Sequence, residues 1–306
     1  MKITLVENFR AMFYTPFYAT RELGAYEAEG LDVDMIPSSG FGEANRMLAA
    51  GGAAISWGGP MRLMLARDTD PKSSTVAFCE VVGRDPFFLL GRKPNPHFQM
   101  KDLLGKTVAT VSEVPTPWVA LQHDLRGAGI DPASVRRITG RTMAENVAAL
   151  RAGEVDVIQI FQPFAQTLVD EGAAHLWYAA ASRGLACYTT LNTTREFVEK
   201  HGEILLGITR AVYRTQKWIA AHDGRELAEV VTRYLPDIPL SVLAACCDEY
   251  KVSEVWSRTP IVQRAGLEWK REAMLSSGSI RARLPYEDYV DGRFAEEIVR
   301  EDPPSI

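Results

Sequence analysis

Leu150-Arg151-Ala152-Gly153, then the apolar run Val155–Ile160, then Gln162-Pro163-Phe164: this stretch restates an earlier one. In the first third of the chain stand Leu48-Ala49-Ala50-Gly51, a short apolar run over 53–57, and Gly59-Pro60-Met61. In both, a helix ends in glycine, a strand follows, and proline opens the next helix. Proline lacks an N–H that the first helical turn leaves unpaired anyway, and glycine accepts the left-handed backbone just past the last turn. Working outward, the first pass begins with the strand Ile3–Val6, Thr15-Pro16-Phe17 at a helix start, and Gly30-Leu31 before a second strand. The second pass has Thr107–Val111, Thr116-Pro117-Trp118 and Gly129-Ile130 in the same order. Two copies of strand–helix–strand–helix–strand predict an α/β protein of two similar lobes. A cleft between lobes is where small ligands bind.

Composition agrees with a globular protein. The 306 residues, 46% hydrophobic and 24% charged, can bury a sizeable core. A net charge of -5 argues against nucleic acid or an anionic membrane as partner. Cys79, Cys187, Cys246 and Cys247 form no C-x-x-C motif, and the histidines stand at no ligand spacing, so no metal and no cofactor is expected. The chain runs straight into its first strand, with no leader pattern and no apolar run of about 18 residues. As written, this reads as a cytoplasmic protein without membrane insertion, or a periplasmic one if a leader once preceded it.

Lobe one is placed at 1–92 plus 186–306 and lobe two at 93–185. Phe87-Phe88-Leu89-Leu90-Gly91 reads as the last strand of lobe one, and Arg92-Lys93-Pro94-Asn95-Pro96 as the linker. Ala186–Leu191 carries the chain back, so two crossing strands form a hinge. Helices are predicted over Thr194–Lys200, Ile204–Ala221, Gly224–Tyr234, Leu240–Tyr250 and Ile261–Met274, with Trp218, Leu227, Leu243 and Trp269 on apolar faces. Thr142-x-x-Glu145 is a capping box, and the tail Asp302–Ile306 is expected to fray.

Ligands of open α/β sheets meet the carboxyl ends of strands and the helix starts beyond them. That rule selects five places. Asn8, Phe9, Arg10, Phe13 and Tyr14 follow the first strand and are densely aromatic for a loop. Ser38 and Ser39 follow the second, where hydroxyls and free N–H groups suit an oxyanion. Trp57, Gly58, Gly59 and Arg62 follow the third: an indole to stack, two glycines for close approach, and a guanidinium fork for an acid group. Ser112, Thr116 and Trp118 are their counterparts in the second repeat, and Gln159 and Gln162 add amides that fix orientation. Glu80 with Arg84, and Arg183 with Cys187, bracket the crossings; the first two are expected to pair.

Phe17-Tyr18-Ala19-Thr20-Arg21-Glu22-Leu23-Gly24-Ala25-Tyr26-Glu27-Ala28-Glu29-Gly30-Leu31-Asp32-Val33 resembles the opening of the type II periplasmic-binding-protein group that takes nitrate, taurine, alkanesulfonates and thiamine-pyrimidine precursors. Asp102-Leu103-Leu104-Gly105-Lys106-Thr107-Val108 resembles the start of that group's second lobe, and Gly153-Glu154-Val155-Asp156-Val157 resembles its G-x-[VI]-D strand start. The likeness runs over roughly residues 1–250. It implies a two-lobed type II periplasmic-binding-protein fold with a hinge of two crossing strands and a helical C-terminal part. It also implies a substrate-binding protein of an ABC transporter, with a permease as partner. Fold alone does not carry function, however. The group's thiamine-pyrimidine synthases place a lysine and a nearby histidine at the third-strand turn and several cysteines on the return strand. Here the turn is Ser56-Trp57-Gly58-Gly59-Pro60-Met61-Arg62 and the return is Leu185-Ala186-Cys187-Tyr188-Thr189. A sulfinate-desulfinating relative uses a cysteine in the first loop, which Glu7–Tyr14 lacks. The reading is a binder that sandwiches a small, anionic, partly planar ligand (a sulfonate, aromatic carboxylate or pyrimidine type) between Trp57 and Trp118. The alternative is a cytoplasmic enzyme of the same fold, a lyase or decarboxylase or a thiamine-pyrimidine synthase.

Overall fold

A computed structural model describes residues 2–38 and 42–306. Two five-stranded mixed sheets are built on one plan. The first contains β1 (Lys2–Glu7), β2 (Asp32–Pro37), β3 (Ile55–Gly58), β4 (Thr75–Val82) and β10 (Thr189–Thr194), ordered β2-β1-β3-β10-β4. The second contains β5 (Phe88–Gly91), β6 (Thr107–Val111), β7 (Arg136–Arg141), β8 (Val157–Ile160) and β9 (His175–Ala179), ordered β7-β6-β8-β5-β9. In each sheet the repeat supplies three parallel strands, and an antiparallel strand that has crossed from the other lobe lies fourth: β10 in one, β5 in the other.

The repeat helices are α1 (Thr15–Glu22), α2 (Ala25–Ala28), α3 (Glu43–Ala49) and α4 (Met61–Thr69) in the first lobe. Their counterparts are α5 (Thr116–Gly127), α6 (Met143–Ala152) and α7 (Phe164–Asp170) in the second. Local chemistry sets their ends. Pro16 and Pro117 sit in the first turns of α1 and α5. Thr142 and Glu145 close a reciprocal capping box on α6, and Gly153 ends it at φ 76°. The C-terminal part adds α8 (Arg195–Lys200), α9 (Gly202–Ala221), α10 (Gly224–Val231), α11 (Leu240–Val252), α12 (Arg264–Ser276), α13 (Tyr286–Tyr289) and α14 (Arg293–Glu301). β4 is buried along its whole length although it ends the sheet. A bridge from Ala77 to Val290 and the packing of α9 and α14 cover its edge, which removes an exposed template for further pairing.

Two expectations change. Phe88–Gly91 pairs with β8 and β9, so it belongs to the second sheet, and the chain crosses at 83–87 rather than after residue 92. A fully buried apolar run does not announce which sheet it joins. The tail also does not fray at its root: Lys217 Nζ donates to Asp302 Oδ1 at 2.5 Å and to the Pro303 carbonyl at 2.6 Å, tying it to α9.

The two crossings run side by side. The Ala186 and Cys187 amides donate to the Gly83 carbonyl at 2.8 and 3.0 Å, Tyr188 N to Val82 O at 2.8 Å, and Ala180 N to Phe87 O at 2.9 Å. Arg183 on the second crossing clamps Asp85 of the first at 2.6 Å and also pairs with Asp124 of α5. Burial opposes this guanidinium's charge, but the two carboxylates outweigh it and hold its pKa above the ordinary value. Arg183→Met would strand two buried carboxylates. It is expected to cost about 3–5 kcal/mol, seen as a lower urea midpoint with unchanged slope.

Candidate functional site

The strand ends and helix starts of the two repeats meet across the gap between the lobes, and the gap is closed. Phe13 stands edge-on to Phe161 at 5.1 Å between ring centres. The Thr116 hydroxyl at the start of α5 lies 3.5 Å from Met61 Sδ at the start of α4. His123 Nδ1 is 3.0 Å from Ser276 Oγ, and Gln162 N donates to the Tyr250 hydroxyl at 3.1 Å. Phe13, Phe87, Phe161 and Tyr188 form a connected aromatic floor beside the crossings.

Polar groups surround this floor. Asn8 Nδ2 donates to the Tyr14 hydroxyl at 3.2 Å, with Thr189 next to that hydroxyl. Gln159 Nε2 donates to Pro117 O at 2.9 Å. Arg62 reaches in from α4 near Tyr14 and Tyr188, and burial lowers its pKa. A Cβ at Gly58 would stand 2.7 Å from Arg62 Nη1, and one at Gly59 would stand 3.0 Å from Tyr188 O. These glycines therefore make room for the guanidinium and the returning chain. Asn8 Oδ1, Thr189 Oγ1, Gln159 Oε1 and Lys270 Nζ are buried with no hydrogen-bond partner. Each such group costs about 1–3 kcal/mol if nothing meets it. Groups of this kind gathered at the facing strand ends are what a ligand's polar atoms would satisfy.

Several expected contacts go elsewhere. Trp57 is 1% exposed and stacks on Phe17 at 4.4 Å, and Trp118 lies under the Arg137 guanidinium at 4.3 Å. Each indole has a stacking partner within its own lobe. Strand alternation turns Trp57 toward α1, which sequence position alone does not weigh. Arg10 pairs with Glu7 at 2.8 Å and donates to Tyr234 O, outside the gap. Phe9 is half-buried against Phe13 and Tyr14. Ser38 Oγ donates to Asn8 O at 2.5 Å; Ser39 lies outside the described residues. Ser112 is exposed, its amide on Arg141 O. The Gln162 side chain accepts from Gln166 N and so caps α7.

Behind the crossings, Glu80 and Arg84 do not pair: Arg84 takes Glu254. Glu80 accepts from Ser257 Oγ at 2.8 Å and Gln263 N at 3.2 Å, with the Cys187 thiol beside it. Cys187 is buried at φ 41°, with its thiol beside both this carboxylate and the Lys270 ammonium. Burial pushes the Glu80 carboxyl up to about 7 against those hydrogen bonds.

Lys270 is the residue that sequence reasoning missed. It is 1% exposed, with Nζ 5.2 Å from the Tyr188 ring centre and 5.5 Å from that of Trp269. Burial lowers its pKa to about 8. The signal was present: α12 buries Gly266, Leu267, Lys270, Ala273 and Met274, a helical stripe with a lysine at its centre.

Two lobes of one topology, two adjacent crossings and a closed polar cleft define the type II periplasmic-binding-protein class of fold. The chain belongs to the NMT1/THI5-like family, whose pattern matches residues 12–225. It is 24% identical to YtlA of Bacillus subtilis (strain 168) over 302 residues, covering 98% of this chain and 90% of that one. Among solved structures it resembles the periplasmic aliphatic sulphonate binding protein SsuA of Escherichia coli, with TM-score 0.77 and 14% identity over 94% of this chain and 97% of that one. It also resembles the desulfurization enzyme DSZB, with TM-score 0.70 and 13% identity over 98% of this chain and all (100%) of that one. Among the described residues no helix is long and apolar enough to cross a membrane, and no cluster of His, Cys, Asp and Glu could hold a metal ion.

Two outcomes follow. Trp57→Ala removes a core ring and is expected to cost about 3–5 kcal/mol in chemical denaturation. Glu80 binds its proton more tightly folded than unfolded, so its contribution is fully present below the unfolded pKa and is lost as pH rises through about 7. Stability should fall by up to about 3 kcal/mol across that window, and Glu80→Gln should flatten the decline.

Proposed function

We propose that this protein is the substrate-binding component of an ABC-type import system and captures a small, anionic, partly planar ligand in the interlobe gap. The observation that supports this most is the set of buried polar atoms without partners around an aromatic floor. Tyr14, Thr189, Asn8 and Gln159 would meet the ligand's polar atoms. Phe13, Phe161 and Tyr188 would cover its planar part, and Arg62 and Lys270 would supply positive charge. Hinge closure about the two crossings would exclude water, strengthening each charged contact. Membership of the family and the likeness to SsuA agree with this role. Delivery to a permease would place its work outside the inner membrane.

Ligand classes within this reading are a sulfonate, an aromatic carboxylate or a pyrimidine-type acid. The likeness to DSZB raises an enzyme of the same fold as the second reading. Cysteine chemistry is disfavoured: burial pushes the Cys79, Cys187, Cys246 and Cys247 thiols up, away from the reactive thiolate. The first loop also carries no cysteine.

The test is thermal unfolding with benzenesulfonate, benzoate, methanesulfonate and neutral benzyl alcohol, followed by calorimetric titration. At least one acid at a large excess over its Kd should raise the Tm by several degrees, with benzyl alcohol inert. Arg62→Met should weaken that acid about tenfold or more. No shift with any acid, or an equal shift with the alcohol, would overturn the reading.

A further inference from the structure

We propose that Lys270 carries the ligand's acid group: its ammonium, walled by the Tyr188 and Trp269 rings, is the anion subsite of the cleft. This inference rests on the binding reading above and names the residue that decides its charge preference.

The argument begins with the helix. α12 touches both lobes: Leu267 and Met274 pack in one apolar cluster with Met61 of α4 and Val119 of α5, and Ser276 meets His123. Gly266 lies so close to the second crossing that a Cβ would stand 2.9 Å from Cys187 N. One turn further along the same stripe is Lys270, aimed at Tyr188 on that crossing. α12 thus places an ammonium at the point where the crossing meets the aromatic floor.

The ammonium has no partner there. Nζ makes no hydrogen bond although it is fully buried. The nearest carboxylates, Asp85 and Asp124, are engaged by Arg183. Burying a charge costs several kcal/mol unless a counter-charge arrives, and a methionine of similar length would fill the space without that cost. A lysine held dry and unpaired is poised for an incoming acid, whose attraction is strongest in a water-poor site. Ring faces beside the ammonium add cation–π support without competing for its three donors. Thr189, Asn8 and Gln159 would then read the rest of the ligand.

The groups around Lys270 are Asp85, Arg183, Asp124 and Cys187, with the Tyr188 and Trp269 rings. Because desolvation lowers the pKa of this amine to about 8 in the ligand-free protein, binding an acid should draw in a proton at mildly alkaline pH.

The experiment uses whichever of benzenesulfonate, benzoate and methanesulfonate stabilises the wild-type protein most. Lys270→Met should weaken that acid about ten- to a hundredfold. Its ligand-free Tm should equal or exceed wild type, because an unpaired buried charge has gone. Lys270→Arg should keep most of the affinity. On wild type, titrations at pH 8 in buffers of different ionisation enthalpy should show proton uptake on binding; this measurement needs no variant to fold. A Lys270→Met protein that binds the acid as tightly as wild type, or binding without proton uptake, would overturn the subsite. A wild type that binds none of the three acids would overturn the reading of the cleft and the subsite with it.

Discussion

Arg183 is the tie on which the arrangement depends. Two sheets of the same plan could sit in many relative positions, and among the described residues the backbone passes between them at 83–87 and 180–188. Arg183 joins one crossing to the other through Asp85 and reaches into the second lobe through Asp124. Backbone bonds from Ala186, Cys187 and Tyr188 to the Gly83–Val82 turn add the rest. Glycine at 83 leaves room beside this turn, where a Cβ would stand 2.8 Å from Ser257 Oγ and 3.0 Å from Glu80 Oε1. With the crossings locked together, the strand ends of both lobes point at one gap. The closed contacts Phe13–Phe161 and Thr116–Met61 then follow.

Two buried groups of opposite charge type stand beside the second crossing. Glu80 lies behind the second crossing with hydrogen bonds from Ser257 and Gln263. Lys270 packs against Tyr188 of the same crossing with none. Each is driven toward its neutral form by burial, the carboxyl upward and the amine downward. The difference is in satisfaction. Glu80 is a completed structural site, whereas Lys270 is left for something the chain does not contain. Stability given up at a site that only a ligand completes is a usual feature of binding clefts.

The two-lobed plan was legible because helix punctuation is local chemistry. Gly153 and Pro117 act within their own turns, so the repeat showed in residue types alone. The membership of Phe88–Gly91 was not legible, since pairing partners of a buried run are set by tertiary contacts. Asn8, Tyr14, Arg62 and Gln159 were selected by the rule that strand ends face ligands, and the structure buries or half-buries each of them between the lobes or beside the crossings. For Trp57 the rule gives the end of the strand but not the face of the sheet, and its ring packs on Phe17 of α1. Lys270 was overlooked because lysine in a helix reads as solvent-facing. Only its place among Gly266, Leu267, Ala273 and Met274 marks it as buried.

The central claim is that the interlobe gap, and no other surface, holds a small acid. A crystal structure of the protein grown with its most stabilising acid tests this most directly. The account predicts one molecule between the lobes, its acid group within hydrogen-bond distance of Lys270 Nζ and its planar part on Phe13, Phe161 and Tyr188. Density for the acid elsewhere, with the gap unchanged and Lys270 still unpartnered, would contradict it.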